Sequence, residues 1–357
     1  MRSLKLTAFL STASLISCGA RSELLTPLAF GSTEDAGRMT PEDTTGRVVP
    51  VRILAHTDAH FAVMSDGTVR MWGHSAVPGL IDPARPTELP GVRDIIAVSG
   101  EVGSIDYVTS SGDLFRVRPG GTGFPGNRVV GVPPLRDFNR RDSVVRAWLT
   151  RDGRAMYRDS VFVDEFREVA APVRFRSIGG TGRGLAAGED GLLYEWGGNL
   201  TASRVTVPFR VREVASECIL SDEGELACRG EGFGADGIPA EGAFVAAFTR
   251  MPGARGIVQF ANGLDNTLML RSDGVFLRTG VIRPGGCFRH PDADLWRPNI
   301  ARVAVGIRDV VSFSHSLGAF CLLFRNHEVS CCGRVSGGSL GDGRTLESEE
   351  WIRVAFE

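Results

Sequence analysis

A turn that recurs seven times, apolar residues placed symmetrically about each turn, and a strand-like segment upstream of the hairpins predict an all-β chain folded as a seven-bladed β-propeller. The turns are Asp66-Gly67, Ser111-Gly112, Asp152-Gly153, Asp190-Gly191, Glu223-Gly224, Asp273-Gly274 and a degenerate Asn326-His327, at steps of 33 to 53 residues.

Each turn defines a hairpin. Three residues before the first turn residue stand Val63, Val108, Leu149, Ala187, Leu220, Leu270 and Leu323. Three residues after it stand Val69, Leu114, Ala155, Leu193, Leu226, Phe276 and Val329. All are apolar. Facing residues of an antiparallel pair have a constant sum of positions, and same-face residues recur every second position. Val63 is therefore set opposite Val69, and Phe61 opposite Met71. The loop between them is Ser65-Asp66-Gly67, with glycine in the left-handed position.

The same arithmetic places Cys218 opposite Cys228 and Cys321 opposite Cys331, each five residues from its turn. Facing β-carbons lie about 4.5–5.5 Å apart, close enough to bridge after slight adjustment. Closing such a loop stabilises by roughly 2–3 kcal/mol. Phe61 and Met71 are the apolar substitute in the first repeat. Cys287 and Cys332 are left over: they could form a third bridge, or Cys332 could compete with Cys331 for Cys321. Steps of ten residues are not the C-x2-C spacing of zinc sites, so no metal is expected.

Upstream of the hairpins lie GVRDIIAV from Gly91, PLRDF from Pro134, PVRFRSI from Pro172, PFRVREV from Pro208, RGIVQF from Arg255 and GIRDVVSF from Gly306. Each repeat is thus expected to hold three strands and a variable connection, with no helical periodicity. Val48 to Leu54 alternates, and pairing with Trp351 to Phe356 would close the ring and cover a sheet edge. The alternative is a ring of open-ended blades.

The stretches SDGTVRMWGHS (65–75), GEDGLLYEWGGN (188–199) and SCCGRVSGGSLGDG (330–343) carry a resemblance. They resemble the repeats of the regulator-of-chromosome-condensation family in its bacterial, exported version. Asp66, Gly67, Asp190 and Gly191 match the family's turn. Trp72-Gly73 and Trp196-Gly197 match its Trp-Gly. Gly341-Asp342-Gly343 matches its closing motif, and FGADG (233–237) is a weaker copy. The resemblance covers about Val48 to Glu357, and is thin in blades two and three. Cys332 and Arg229 stand where the family has tryptophan. The family includes a nucleotide exchange factor for a nuclear GTPase, a role that a signal peptide and the net charge of -2 set aside here, and a secreted inhibitor of beta-lactamases, by analogy with which the resemblance implies a protein-binding or scaffold role without catalysis.

The leader directs the chain outward. Arg2 and Lys5 precede a short apolar run, Leu6 to Ser17, too brief to span a bilayer but suited to a signal peptide over residues 1–17. The run ends LISCG, which resembles the lipobox of bacterial lipoproteins and implies acylation of Cys18, with Gly19 favouring the outer membrane. Residues 18–47 then form a lipidated tether, and 48–357 the propeller. Six cysteines remain, an even number, expected in disulfides in an oxidising compartment. Lys5 is the only lysine, so a mature protein has none for Schiff-base chemistry. The net charge of -2 gives no general attraction to nucleic acid.

Three motifs resemble active sites. His56, Asp58 and His60 share one face if HTDAH is one strand, but the histidines would lie about 13 Å apart, too far for one zinc. GGTGFPG (120–126) contains G-x-G-x-x-G, yet no helix follows to hold a phosphate, so it reads as an inter-blade loop. Ser-Asp-Gly at Ser65 and Ser272 lacks the spacing of the sialidase Asp-box, and Tyr107, Tyr157 and Tyr194 all fall inside hairpins rather than at a nucleophile position. The sequence therefore leads to an exported, lipid-anchored propeller that binds an unidentified protein at the bacterial cell envelope. No cofactor is implied. An envelope hydrolase or lyase acting on polysaccharide or peptide is the alternative.

Overall fold

The computed structural model describes residues 46–356 except 57, 75–82, 102–103, 119–120, 122, 139–146, 159–164, 181–182, 232–243, 263–265, 281–286, 288–300, 305, 317–318, 334–337 and 345–347. The leader, Cys18, most of the tether and FGADG lie outside the described residues. Every regular element among the described residues is a strand, and the strands form seven four-stranded antiparallel sheets. This is a seven-bladed propeller.

The first strands are Pro50–His56, Ile95–Glu101, Leu135–Phe138, Phe175–Gly179, Val211–Ala215, Ile257–Asn262 and Val310–His315. First strands of most neighbouring blades pack together around the centre. The second strands are Asp58–Met64, Ser104–Thr109, Ala147–Thr150, Gly184–Gly188, Cys218–Ser221, Asn266–Arg271 and Ala319–Phe324. The third are Thr68–His74, Leu114–Val117, Ala155–Tyr157, Leu193–Trp196, Leu226–Glu231, Phe276–Gly280 and Val329–Gly333. All seven hairpins take the predicted register: Val63 pairs with Val69, Val108 with Leu114, and so on to Leu323 with Val329.

The expected three strands per repeat become four. The outer strands are Thr87–Arg93, Asn127–Arg128, Arg167–Glu168, Ser203–Val205, Phe244–Arg250, Arg302–Val303 and Ser348–Arg353. Most are short and exposed, so they carry little hydrophobic alternation to read. GVRDIIAV spans two strands, broken at Asp94 with φ 49°. Blades two and three are complete. HTDAH is divided between two strands: His56 ends the first, Asp58 opens the second, and Thr57 lies outside the described residues. GGTGFPG joins the third and fourth strands of blade two, so it is an intra-blade loop.

The core lies between the sheets. Residues three and five positions from each turn face the next blade, as Phe61, Val63, Val69 and Met71 do against Ile95 and Val98 of blade two. Backbone laces these interfaces together. The turn glycine of each of the first six blades accepts a hydrogen bond at its carbonyl from the opening of the next: Asp94 to Gly67, Leu135 to Gly112, Phe175 to Gly153, Val211 to Gly191, Ile257 to Gly224 and Val310 to Gly274, at 2.7 to 3.3 Å.

Every first strand also has a β-bulge after its opening residue, which leaves Val51, Ile96, Arg136, Arg176, Arg212, Val258 and Val311 without a facing partner. In blades three to five the bulged residue is arginine. Arg136 donates to the Phe175 carbonyl, Arg176 to Val211 and Arg212 to Ile257, so each reaches the opening residue of the following blade.

Closure differs from the expected strand exchange. Pro50–His56 pairs with blade one's own second strand, and Ser348–Arg353 with blade seven's third, so the two ends do not pair. Side chains and loops close the ring. Ile53, Met64 and Trp72 of blade one share a cluster with Cys321, Leu340 and Val354 of blade seven. Trp72 meets Phe356 edge to face at 5.8 Å and stacks on His60 at 5.7 Å. His60 Nδ1 lies 3.0 Å from Ser314 Oγ of blade seven. The closing motif lies over this seam: the Gly343 amide donates to Ala84 at 2.9 Å, and a β-carbon on Gly341 would come within 2.9 Å of Trp72.

Candidate functional site

The sequence signature residues prove to be framework. Asp66 accepts from the Thr68 amide and hydroxyl at 2.9 and 2.7 Å. Asp190 accepts from the Leu192 amide at 3.0 Å and from the Tyr194 hydroxyl at 2.7 Å. Asp342 accepts from the Arg344 amide at 2.9 Å. Trp196 packs between the Phe175 ring, 6.0 Å away, and Gly184, whose position has no room for a β-carbon. Gly67 and Gly191 hold positive φ in their turns, as does Gly73 beyond its tryptophan, while Gly197 lies in open space.

The cysteines brace the sheets. Cys218–Cys228 and Cys321–Cys331 bridge facing residues with Cα separations of 4.1 Å. Cys332, one residue on, points to the opposite face and bridges Cys287 of blade six. Alternation thereby separates Cys331 from Cys332 and removes the competition for Cys321.

The motifs that resembled active sites are occupied structurally. His60 is fully buried, and burial followed by the nearby His315 lowers its pKa to about 3, so it is neutral. Tyr107 donates to the Pro125 carbonyl at 2.5 Å, and burial raises its pKa. Burial and the Asp190 hydrogen bond raise Tyr194 as well. Among the described residues no three His, Cys, Asp or Glu side chains are grouped to hold a metal ion.

A different constellation, missed in the sequence, lies on the outer rim between blades four and five. Arg229 takes the position that tryptophan holds in blades one and four. Its Nε donates to Glu217 at 2.7 Å and its Nη2 to Glu195 at 3.1 Å, while Arg183 lies 3.6 Å from Glu195. Burial alone would lower the guanidinium pKa; hydrogen bonds to Glu195 and Glu217 outweigh it and raise the value. The flanking disulfide sets this geometry, since Glu217 precedes Cys218 and Arg229 follows Cys228. The Arg229 amide also donates to the Glu217 carbonyl at 2.9 Å.

The outer strand Phe244–Arg250 bulges opposite Arg229, with Cys228 facing Thr249 and Gly230 facing Val245. Phe248 is thereby brought under the guanidinium at 4.8 Å. A second pair follows on the same rim: Arg250 lies 5.7 Å from the Phe209 ring and 3.4 Å from Glu225. Val205, Val207, Phe209 and Phe248 are half-buried against one cluster that includes Leu185, Leu193 and Ile219. The result is a patch of half-buried aromatic rings with arginine heads over them, the residue types that dominate protein interfaces. One sequence signal pointed to it: charged residues directly flank a facing cysteine pair.

No protein-family model matches the chain, and no curated protein matches it. Solved structures share its architecture. Prp20p from Saccharomyces cerevisiae, studied with its binding to Gsp1p and histones, aligns over 86% of this chain and 77% of its own, with TM-score 0.50 and 14% identity. Yeast RCC1 (Prp20) with Kap60 bound aligns over 86% and 75%, with TM-score 0.49 and 13% identity. Human WBSCR16 aligns over 85% and 82%, with TM-score 0.47 and 14% identity. At such identities the likeness concerns the fold alone: the chain is similar to Prp20p in being a β-propeller.

Proposed function

We propose that the chain is an exported, lipid-anchored propeller that holds another protein at the bacterial cell envelope, on the outer membrane. The observation that carries the binding role is the arginine–aromatic patch on blades four and five. Its arginines are already held by carboxylates and aromatic rings, so little side-chain freedom is lost on docking. It sets half-buried aromatic rings and arginine side chains together. The leader ending in LISCG supports export and acylation at Cys18, and six paired cysteines suit an oxidising compartment. Prp20p is a propeller that binds proteins; for this chain the corresponding expectation is a protein partner, with no nucleic acid and no catalysis.

The test captures envelope proteins on the full chain in mild detergent, with Phe248→Ala and Arg250→Ala compared with wild type. A stoichiometric partner held by wild type and by Val130→Ala, but lost from both patch variants, supports the reading. Capture indifferent to the patch sinks it. Labelled palmitate incorporated by wild type but not by Cys18→Ala would support the anchor; no incorporation into wild type would remove it.

A further inference from the structure

The three disulfides are held in two different ways. Cys218–Cys228 and Cys321–Cys331 join facing residues of adjacent strands, so the ladder keeps each pair in register whether or not the sulfurs are bonded. Cys287–Cys332 spans a sequence separation of 45, against 10 for each of the others, and crosses from blade six to blade seven. Cys332 lies in the third strand of blade seven. Cys287 belongs to no strand, and among the described residues no backbone hydrogen bond holds it.

Cys287 stands at the outer edge of blade six. In sequence it falls between the third strand, Phe276–Gly280, and the outer strand, Arg302–Val303. That outer strand makes only two strand pairs, Val303 with Leu277 and Arg302 with Arg278. Cys287 shares one apolar cluster with Phe276 and Ala304 of blade six and with Phe313, Leu322 and Cys332 of blade seven. It is 8% exposed, whereas the other five disulfide cysteines are 0 to 1% exposed.

We infer that Cys287–Cys332 is a redox-sensitive brace: a dithiol reduces it while both cross-strand bridges persist, and its loss frees the outer edge of blade six without opening the ring. A cleaved bridge re-forms in proportion to the effective concentration of its two thiols. Strand ladders keep that concentration high for the facing cysteines, and no ladder returns Cys287 to Cys332. The incoming thiolate attacks the more exposed sulfur, that of Cys287, and Cys332 departs as a thiolate that takes up a proton. The new thiol has an acceptor in place, since Cys332 Sγ lies 3.3 Å from the Ser348 carbonyl. The second thiol of the reductant then attacks the reductant sulfur of the mixed disulfide and releases Cys287 as a thiol. Two electrons reach the protein, and the reductant leaves as a disulfide. Blades four and five, with their arginine–aromatic patch, take no part.

The experiment exposes the full folded chain to graded dithiothreitol, traps free thiols with iodoacetamide and identifies them by peptide mass spectrometry. Cys287 and Cys332 are expected to be labelled at a dithiothreitol concentration about tenfold lower than Cys218, Cys228, Cys321 and Cys331. At that concentration amide exchange should rise over residues 302–304 and stay unchanged in blades one to four. Oxidised glutathione should restore both the bridge and the protection. Cys287→Ser with Cys332→Ser should show the same exchange without reductant; should that variant fail to fold, the wild-type measurement carries the test alone. Labelling of all six paired cysteines together, labelling of a cross-strand pair first, or selective labelling with exchange unchanged would overturn the inference, the last by showing that the bridge braces nothing.

Discussion

Asp106 and Arg116 face each other across the hairpin of blade two at the register where blades five and seven carry disulfides. Both are buried, and two parallel hydrogen bonds of 2.6 and 2.7 Å join them. One position, five residues from the turn, is thus filled by an ion pair, a disulfide or the apolar Phe61–Met71 pair. Removing one partner strands the other charge. Asp106→Ala should destabilise the protein by about 3–5 kcal/mol, read from the denaturant midpoint. Asp106→Cys with Arg116→Cys should instead form a third cross-strand bridge, seen as resistance to thiol alkylation before reduction.

Cys218→Ala with Cys228→Ala removes the brace beneath Arg229. Stability should fall by roughly 2–3 kcal/mol. Amide exchange should rise at Glu217 and Arg229 and remain unchanged in blade seven.

Two glycines with similar φ should respond differently to alanine. Gly131, at φ 78°, has open space around it, so Gly131→Ala should cost about 1–2 kcal/mol of backbone strain. Gly224, at φ 77°, would set its β-carbon 2.7 Å from the Ile257 amide of the next blade. Gly224→Ala should add a further 1–3 kcal/mol of overpacking, separable by urea titration of the two variants.

His60 sets an acid sensitivity. Its folded pKa, about 3, lies below the ordinary histidine value of 6.5, so the unfolded chain takes up the proton first. The stabilisation is complete above pH 6.5 and is lost as pH falls towards 3, at about 1.4 kcal/mol per unit once below 6.5. Asp66, Asp113 and Asp152 are held below 3.8, chiefly by hydrogen bonds from Thr68, Ser111 and Thr150, and their loss comes at lower pH. His60→Phe should therefore flatten the stability curve between pH 6.5 and 4.

The hairpins were legible because turn geometry forces symmetric apolar placement, and facing cysteines obey the same sum. The outer strands were not, since Asn127–Arg128 and Arg167–Glu168 are exposed pairs with no face to bury. Asp106 and Arg116 look like solvated strand residues until register brings them together inside. Arg229 looked like a lost tryptophan; its carboxylate partners sit on two blades, and only packing joins them. The predicted ring closure failed because a shared strand and a packed seam leave the same alternating pattern at Val48 to Leu54.

Each sheet is drawn from one uninterrupted stretch of chain, with no strand borrowed across the ring. Contacts within a blade therefore close over short sequence distances, and the slow, long-range pairing of first and last strands never arises. Blade one has all its strands by Arg93, before the rest need be present. A chain that emerges N-terminus first can thus form its sheets one after another, and docking the seventh against the first must wait for the end.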